Sequence, residues 1–446
     1  MKTRIAILAS TGALLCVPAS GQVTDPYASS YVVPKGEPFA IVDASVLTAA
    51  GAELPRATVL VRDGRVLSVG VDLTVPAEFR LLDGRGKWVT PGIIDAHSHL
   101  GVSGSPNVAA HEDGNETTSP NTAEVWAEHS VWPQDPKFRL ARGAGVTTLL
   151  ILPGSDNLFN GRSVTVKNVP ATTVAAMKFP GAPYGLKVAC GENPKIAYGG
   201  KGRFPQTRMG NVAGYRAAWI DAADYLRKQE KGDPPKRDLK METMSGVLKG
   251  EILIQNHCYR ADEMVNVIEV SHEFGFKVTA FHHASEAYKI APLLAKEGIC
   301  VATWAEAWGA KMESFDGIEE NAAIVDAAGG CAVIHSDDGL LGQRLNQEAG
   351  IALAAGRAAG LPVDRDRAIR WVTANPARML GILAKTGTIE PGKAGDLVLW
   401  DRDPFSVYAV ADKVWIDGAL VWDRADAKTQ APSDFLVGQP GQDFSR

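Results

Sequence analysis

Between Phe39 and Arg85, apolar and polar residues alternate in short runs: Phe39–Asp43, Ala57–Val61 and Val66–Val69. A two-residue period belongs to strands with one buried face. The same texture returns between Gly387 and Asp423, in Asp396–Trp400, Val410–Ile416 and Ala419–Trp422. Asp63–Gly64 and Asp417–Gly418 separate neighbouring runs, and Asp-Gly between apolar runs predicts a tight hairpin. Two β-rich ends around a different middle predict one small β-sandwich, built from residues 39–88 and 385–426.

The middle has another rhythm. Strand-like runs at Gly145–Pro153, Glu251–Asn256, Phe276–Phe281 and Gly330–Ile334 alternate with helical patterns such as Arg260–Glu273 and Glu319–Ala328. Alternating β and α units predict a parallel sheet covered on both faces. Over residues 89–384 the economical form is a closed (β/α)8 barrel of the TIM type, an α/β fold; pattern alone also allows an open sheet. The Gly-rich stretch from Pro153 to Ser163 reads as an active-site loop after the third strand, without a phosphate-loop pattern.

Composition changes the picture only at the margins. The chain has 446 residues, 45% hydrophobic and 22% charged, with net charge −5 and no long single-sign run. Nothing there supports nucleic-acid or membrane-surface binding. Lys2 and Arg4, the apolar run Ile5–Val17 and the small residues Ala19–Gly21 form a secretory leader cleaved before Gln22. The apolar run is shorter than the ~20 residues of a membrane span, so no anchor is expected. Cys16 raises a lipoprotein alternative, against which the bulky Leu15 argues. The expectation is an exported protein, periplasmic or extracellular. Residues 22–38 and the tail 427–446 read as loosely held. Cys190, Cys258, Cys300 and Cys331 show no paired spacing and read as buried free thiols.

Chemistry concentrates at the ends of the apolar runs. In Pro91–Gly92–Ile93–Ile94–Asp95–Ala96–His97–Ser98–His99 a strand ends in His-x-His, and period two sends both imidazoles to one face. Two converging imidazoles are a natural site for a borderline metal ion. This stretch resembles the first-strand motif of the amidohydrolase superfamily. The β-rich ends resemble its composite sandwich, and Thr373–Gly381 with Gly387–Asp396 its closing helix and return. The likeness spans about residues 39–423 and is greatest to the imidazolonepropionase-related group.

The resemblance implies a ligand set. His97 and His99 come from the first strand, His257 from the fifth, and one of His282 and His283 from the sixth, with His283 the better match. Asp337, on the eighth, is implied both as ligand and as proton carrier, and His283 as ligand or oxyanion partner. The fourth strand offers Lys187, which many relatives carboxylate to bridge two metals, and Glu192, nearer the strand end and the marginally better match. His335 and Arg208 are candidates for binding substrate, although such an arginine more often pairs with a structural acid. Asp338 reads as a solvated or capping neighbour. Trp126, Trp132, Trp304 and Trp308 are either pocket walls or core; His111, His129 and His272 read as surface residues.

The implied activity is hydrolysis of a C–N bond in an amide, cyclic amide or dipeptide-like small molecule. One or two divalent ions, with zinc the best match, arm a water, and Asp337 shuttles its proton. Two rivals remain: a mononuclear deaminase- or imidazolonase-like hydrolase, and a catalytically silent binding protein, which would have lost ligands. Oligomeric state is open, and a homo-oligomer is allowed.

Overall fold

The computed structural model describes residues 25–233, 235–306, 309 and 311–426; the expected leader, the tail from Ala427 and Trp308 lie outside them. Two eight-stranded sheets organise these residues. The first takes its strands from both chain ends: β1 (Phe39–Val46), β2 (Leu54–Arg62), β3 (Arg65–Gly70), β4 (Arg80–Asp83) and β5 (Trp88–Pro91). The second contains β6 (Ile93–Ser98), β7 (Val146–Ile151), β8 (Phe159–Lys167), β9 (Gly185–Ala189), β10 (Leu253–His257), β11 (Val278–His282), β12 (Cys300–Thr303) and β13 (Cys331–Ile334). The chain then returns to the first sheet as β14 (Leu397–Trp400), β15 (Ala411–Ile416) and β16 (Ala419–Asp423).

The first sheet runs β16-β15-β14-β5-β1-β2-β3, with β4 beside β1. Its core includes Ile41, Val59, Val89, Leu397 and Leu399, with Phe39 stacked on Trp415 at 5.0 Å. Both Asp-Gly turns hold φ > 0 at each residue, 51° and 75° at Asp63–Gly64 and 46° and 72° at Asp417–Gly418. Hairpin turns of the mirror-image type require this. The two turns also meet. A Cβ on Gly64 would stand 2.9 Å from the Asp417 carbonyl oxygen, so a side chain there is excluded.

In the second sheet the strands follow chain order from β6 to β13. All neighbours are parallel except β8, which runs antiparallel to β7 and β9. That corrects the reading of Pro153–Ser163 as one loop after a third strand. Residues 152–158 are fewer than the dozen or so a parallel crossover needs, so the chain returns directly as a strand. Alternate residues face opposite sides: Val301, Ala332 and Ile334 join the cluster with helical Val267, Leu294 and Leu353, while Cys300, Ala302, Cys331 and Val333 join the other face.

The sheet's two ends are tied together. Asp337 N–H donates to His97 O at 2.9 Å, and the Ser336 N–H and Oγ–H donate to the Asp95 carboxylate at 3.1 and 2.5 Å. Burial pushes the Asp95 carboxyl up to about 7 against those bonds. Among the described residues no helix is long and apolar enough to cross a membrane.

Two expectations need correcting. The four cysteines are not free: Cys190 bonds Cys258 and Cys300 bonds Cys331. Sequence spacing hid this because the partners meet across adjacent strands: Cys300 pairs in register with Cys331, and Cys190 and Cys258 directly follow β9 and β10. Nor do residues 25–31 hang loose. Ser30 N–H donates to Ala175 O at 2.9 Å, Lys178 reaches Asp25 and Glu128 at 2.8 and 3.0 Å, and Tyr31 Oη–H donates to Asp417 at 2.6 Å.

Thiol titration of a protein lacking residues 1–21, unfolded in guanidinium without reductant, should find none of these four cysteines reactive, and all four after reduction. Any reactive thiol before reduction contradicts the pairing. Each bond is expected to contribute about 2–4 kcal/mol by restricting the unfolded chain.

Candidate metal centre

At the carboxyl end of the second sheet, His97 Nε2, His99 Nε2 and Asp337 Oδ1 form a triangle. Its edges are 3.3 Å between the two nitrogens and 3.3 Å from each nitrogen to the carboxylate. Tetrahedral donors bound to zinc at ~2.0–2.1 Å stand roughly 3.3 Å from one another. The spacing therefore fits one small divalent ion. A register shift in β6 between Asp95 and Ser98 presents His97 and His99 here, while Ile94 and Ala96 join the apolar cluster below. Asp337 reaches it through a left-handed backbone, φ 70°.

Hydrogen bonds fix which imidazole nitrogen is free. His99 Nδ1 lies 2.9 Å from Leu152 O, which only accepts, so Nδ1 carries the proton and Nε2 presents its lone pair. His97 Nδ1 lies 2.8 Å from His282 Nδ1, whose Nε2 lies 2.8 Å from Gln255 Oε1. A proton on His282 Nε2 donates to Gln255 and leaves its Nδ1 as acceptor. His97 then donates from Nδ1, and its Nε2 also points a lone pair into the triangle. Outer partners of this kind set the tautomer of metal-binding histidines. Burial, followed by nearby positive groups, holds His97, His257, His282 and His283 well below the ordinary histidine range, and burial holds His335 down to about 3. All five are neutral imidazoles at neutral pH. Burial works to raise Asp337, but with a proton on His99 Nε2 in the place of an ion, the His99 hydrogen bond and the surrounding charge outweigh it and hold the carboxylate at about 2.

Further donors lie idle nearby. Both ring nitrogens of His257 and of His335, and Nδ1 of His283, are buried without a hydrogen-bond partner. Unsatisfied buried polar atoms are costly, and five on three neighbouring histidines fit a site made for an ion and a polar ligand. His97, His283 and His335 form a second grouping of donors within 4.8 Å. Lys187 Nζ is 3.2 Å from His97 Nε2, and burial pushes its amine down to about 7.

The amidohydrolase family model matches residues 339–422. A solved amidohydrolase from Thermotoga maritima MSB8 is 33% identical, with 86% of this chain and 100% of that one covered and a TM-score of 0.79. The chain belongs to the amidohydrolase superfamily. The amidohydrolase tasK of Hapsidospora irregularis is 30% identical over 406 residues, 82% of this chain; the chain spans only 41% of that relative. An imidazolonepropionase of Mesorhizobium japonicum is 24% identical, covering 78% of this chain and 86% of its own. The resemblance to the imidazolonepropionase-related group holds.

Other residues of this amidohydrolase fall in different places. Glu192 opens the helix Glu192–Gly199 and does not line the pocket, whereas Lys187 touches His97; placement favours the lysine. His282 and His283 both turn inward, contrary to the expectation that only one would. His283 has φ 58°, which breaks the strand's alternation just past the end of β11. His282 is thus the positioning residue that sequence parity discards.

Asp338 caps the following turn, accepting from Leu340 and Leu341 N–H at 2.5 and 2.8 Å. Trp304 stacks on His283 at 4.7 Å and lines the pocket; Trp126 instead stacks on His129, and Trp132 lies against His111. Arg208 is not a pocket residue. It contacts Glu263 at 3.1 Å and Glu313 more closely, and both acids are buried.

Arg208→Ala should therefore cost stability, about 2–4 kcal/mol, because it strands two buried carboxylates. Urea unfolding measures that loss. A raised KM with unchanged stability would restore the substrate-binding role.

Proposed function

We propose that this amidohydrolase hydrolyses a carbon–nitrogen bond in a small amide-like molecule, at a centre of one or two divalent ions, zinc matching best. The observation that carries the reading is the 3.3 Å triangle of His97, His99 and Asp337. Its frame is read as the superfamily's (β/α)8 barrel, with the sheet from both chain ends as the companion β-sandwich domain. An ion there acidifies water and polarises a scissile carbonyl. His97 and His99 supply neutral lone pairs whose direction is set by His282 and Leu152. Lys187, neutral in much of the protein at neutral pH, either binds directly or takes up carbon dioxide as a carbamate, releasing one proton.

Asp337 is ionised and half-buried at the pocket floor. It accepts a proton from the attacking water and returns it to the leaving nitrogen. His283, with Nε2 at 3.7 Å from Asp337, and His257 and His335, with free nitrogens, are positioned to hold an ion or the substrate's oxygen. Trp304 shields His283 from solvent. One observation favours a mononuclear enzyme: His97 belongs to both groupings of donors, so the two compete for it. Metal stoichiometry separates the readings.

Export is part of the proposal. Two disulfides in the mature chain suit an oxidising compartment, in line with the leader at Lys2–Gly21.

Asp337→Asn should keep the fold and lower kcat by roughly 10²–10⁴ on any amide found to be a substrate. A panel of N-acyl amino acids and dipeptides, with bound metal measured alongside, supplies the test. Near-normal turnover by the variant removes Asp337 from its role.

A further inference from the structure

We propose that the pocket selects substrates bearing a free carboxylate, and that Lys311 is the residue that reads it. The inference rests on the hydrolase reading above and names its substrate class. The cavity over the histidines holds about 390 Å³, room for a molecule of dipeptide or N-acyl amino acid size. Its wall includes Tyr259 and Trp304, whose rings lie 6.3 Å apart, and they offer an apolar face to the uncharged part of the substrate.

Most charges around this cavity already have work. Asp337 sits against His97 and His99, Asp338 caps a turn, and Arg208 holds Glu263 and Glu313. Lys311 is different. It lines the cavity, donates to Asn193 Oδ1 at 2.9 Å and lies 5.2 Å from the centre of the Tyr259 ring. Among the described residues it forms no ion pair. An ammonium has three donors, and one neutral amide partner leaves two of them directed elsewhere.

Asp156 also lines the cavity; burial pushes its carboxyl above the ordinary range and the charge of Lys311 pulls it back, but the two make no ion pair at contact distance. A half-buried cation held in place by an amide and an aromatic face, with no carboxylate at contact distance among the described residues, is suited to a carboxylate arriving with the ligand.

The test uses the full zinc-loaded chain with N-acetyl-phenylalanine, N-acetyl-leucine and Ala-Phe, each beside its carboxyl-terminal amide. The expected result is a preference for the acids of roughly 100-fold or more in kcat/KM. Lys311→Met should raise KM for the acids roughly 10–100-fold, leave kcat nearly unchanged and abolish the preference, and Lys311→Arg should restore part of it. Equal rates on acids and amides, or a preference that survives Lys311→Met, overturns the inference.

Calorimetry with N-acetyl-phenylalanine on the same proteins provides a readout that does not depend on turnover. Absence of turnover on every compound defeats the hydrolase reading, and binding then decides this one. Affinity lost in Lys311→Met supports it; affinity unchanged, or no binding to the parent protein, refutes it.

Discussion

Everything at this site depends on closure of the second sheet. His97 and His99 lie at the end of its first strand and Asp337 just past its last, with some 240 residues of chain between them. They reach a common point because Ser336 and Asp337 are hydrogen-bonded to Asp95 and to the His97 carbonyl. Three electron-pair donors held this close repel one another unless something positive lies between them. The fold supplies the bonds that hold them there, and a bound cation would remove the repulsion.

The surroundings prepare the donors for that role. Burial keeps the imidazoles neutral, and the Gln255–His282–His97 chain of hydrogen bonds leaves one lone pair of His97 facing inward. A carbonyl does the same for His99. Hydrolysis asks for little beyond this: a Lewis acid held by neutral ligands, an ionised carboxylate next to it, and a wall that excludes bulk water. Lys311 stands outside that machinery and bears on which molecule is admitted.

Much of this was legible along the chain, and the rest was hidden for physical reasons. Asp63–Gly64 and Asp417–Gly418 announced hairpins because few residue pairs tolerate two consecutive positive φ values. His97 and His99 were legible because period two places them on one face. His282 was lost to the same rule: alternation ends with the strand, and the left-handed turn at His283 lets consecutive residues share a side. The direction of β8 depended on the length of a connection, and the disulfides on which strands become neighbours. Neither is written in local periodicity. Glu192 was placed by proximity in sequence to a strand end, and Arg208 by the chemistry of its guanidinium alone, which does not say which acids it meets.

Anomalous X-ray scattering at the zinc edge, from crystals of the metal-loaded protein, tests the central claim most directly. The account predicts a peak within bonding distance of His97 Nε2, His99 Nε2 and Asp337, with His97 Nδ1 still against His282. An empty triangle in crystals whose protein binds zinc elsewhere would contradict it.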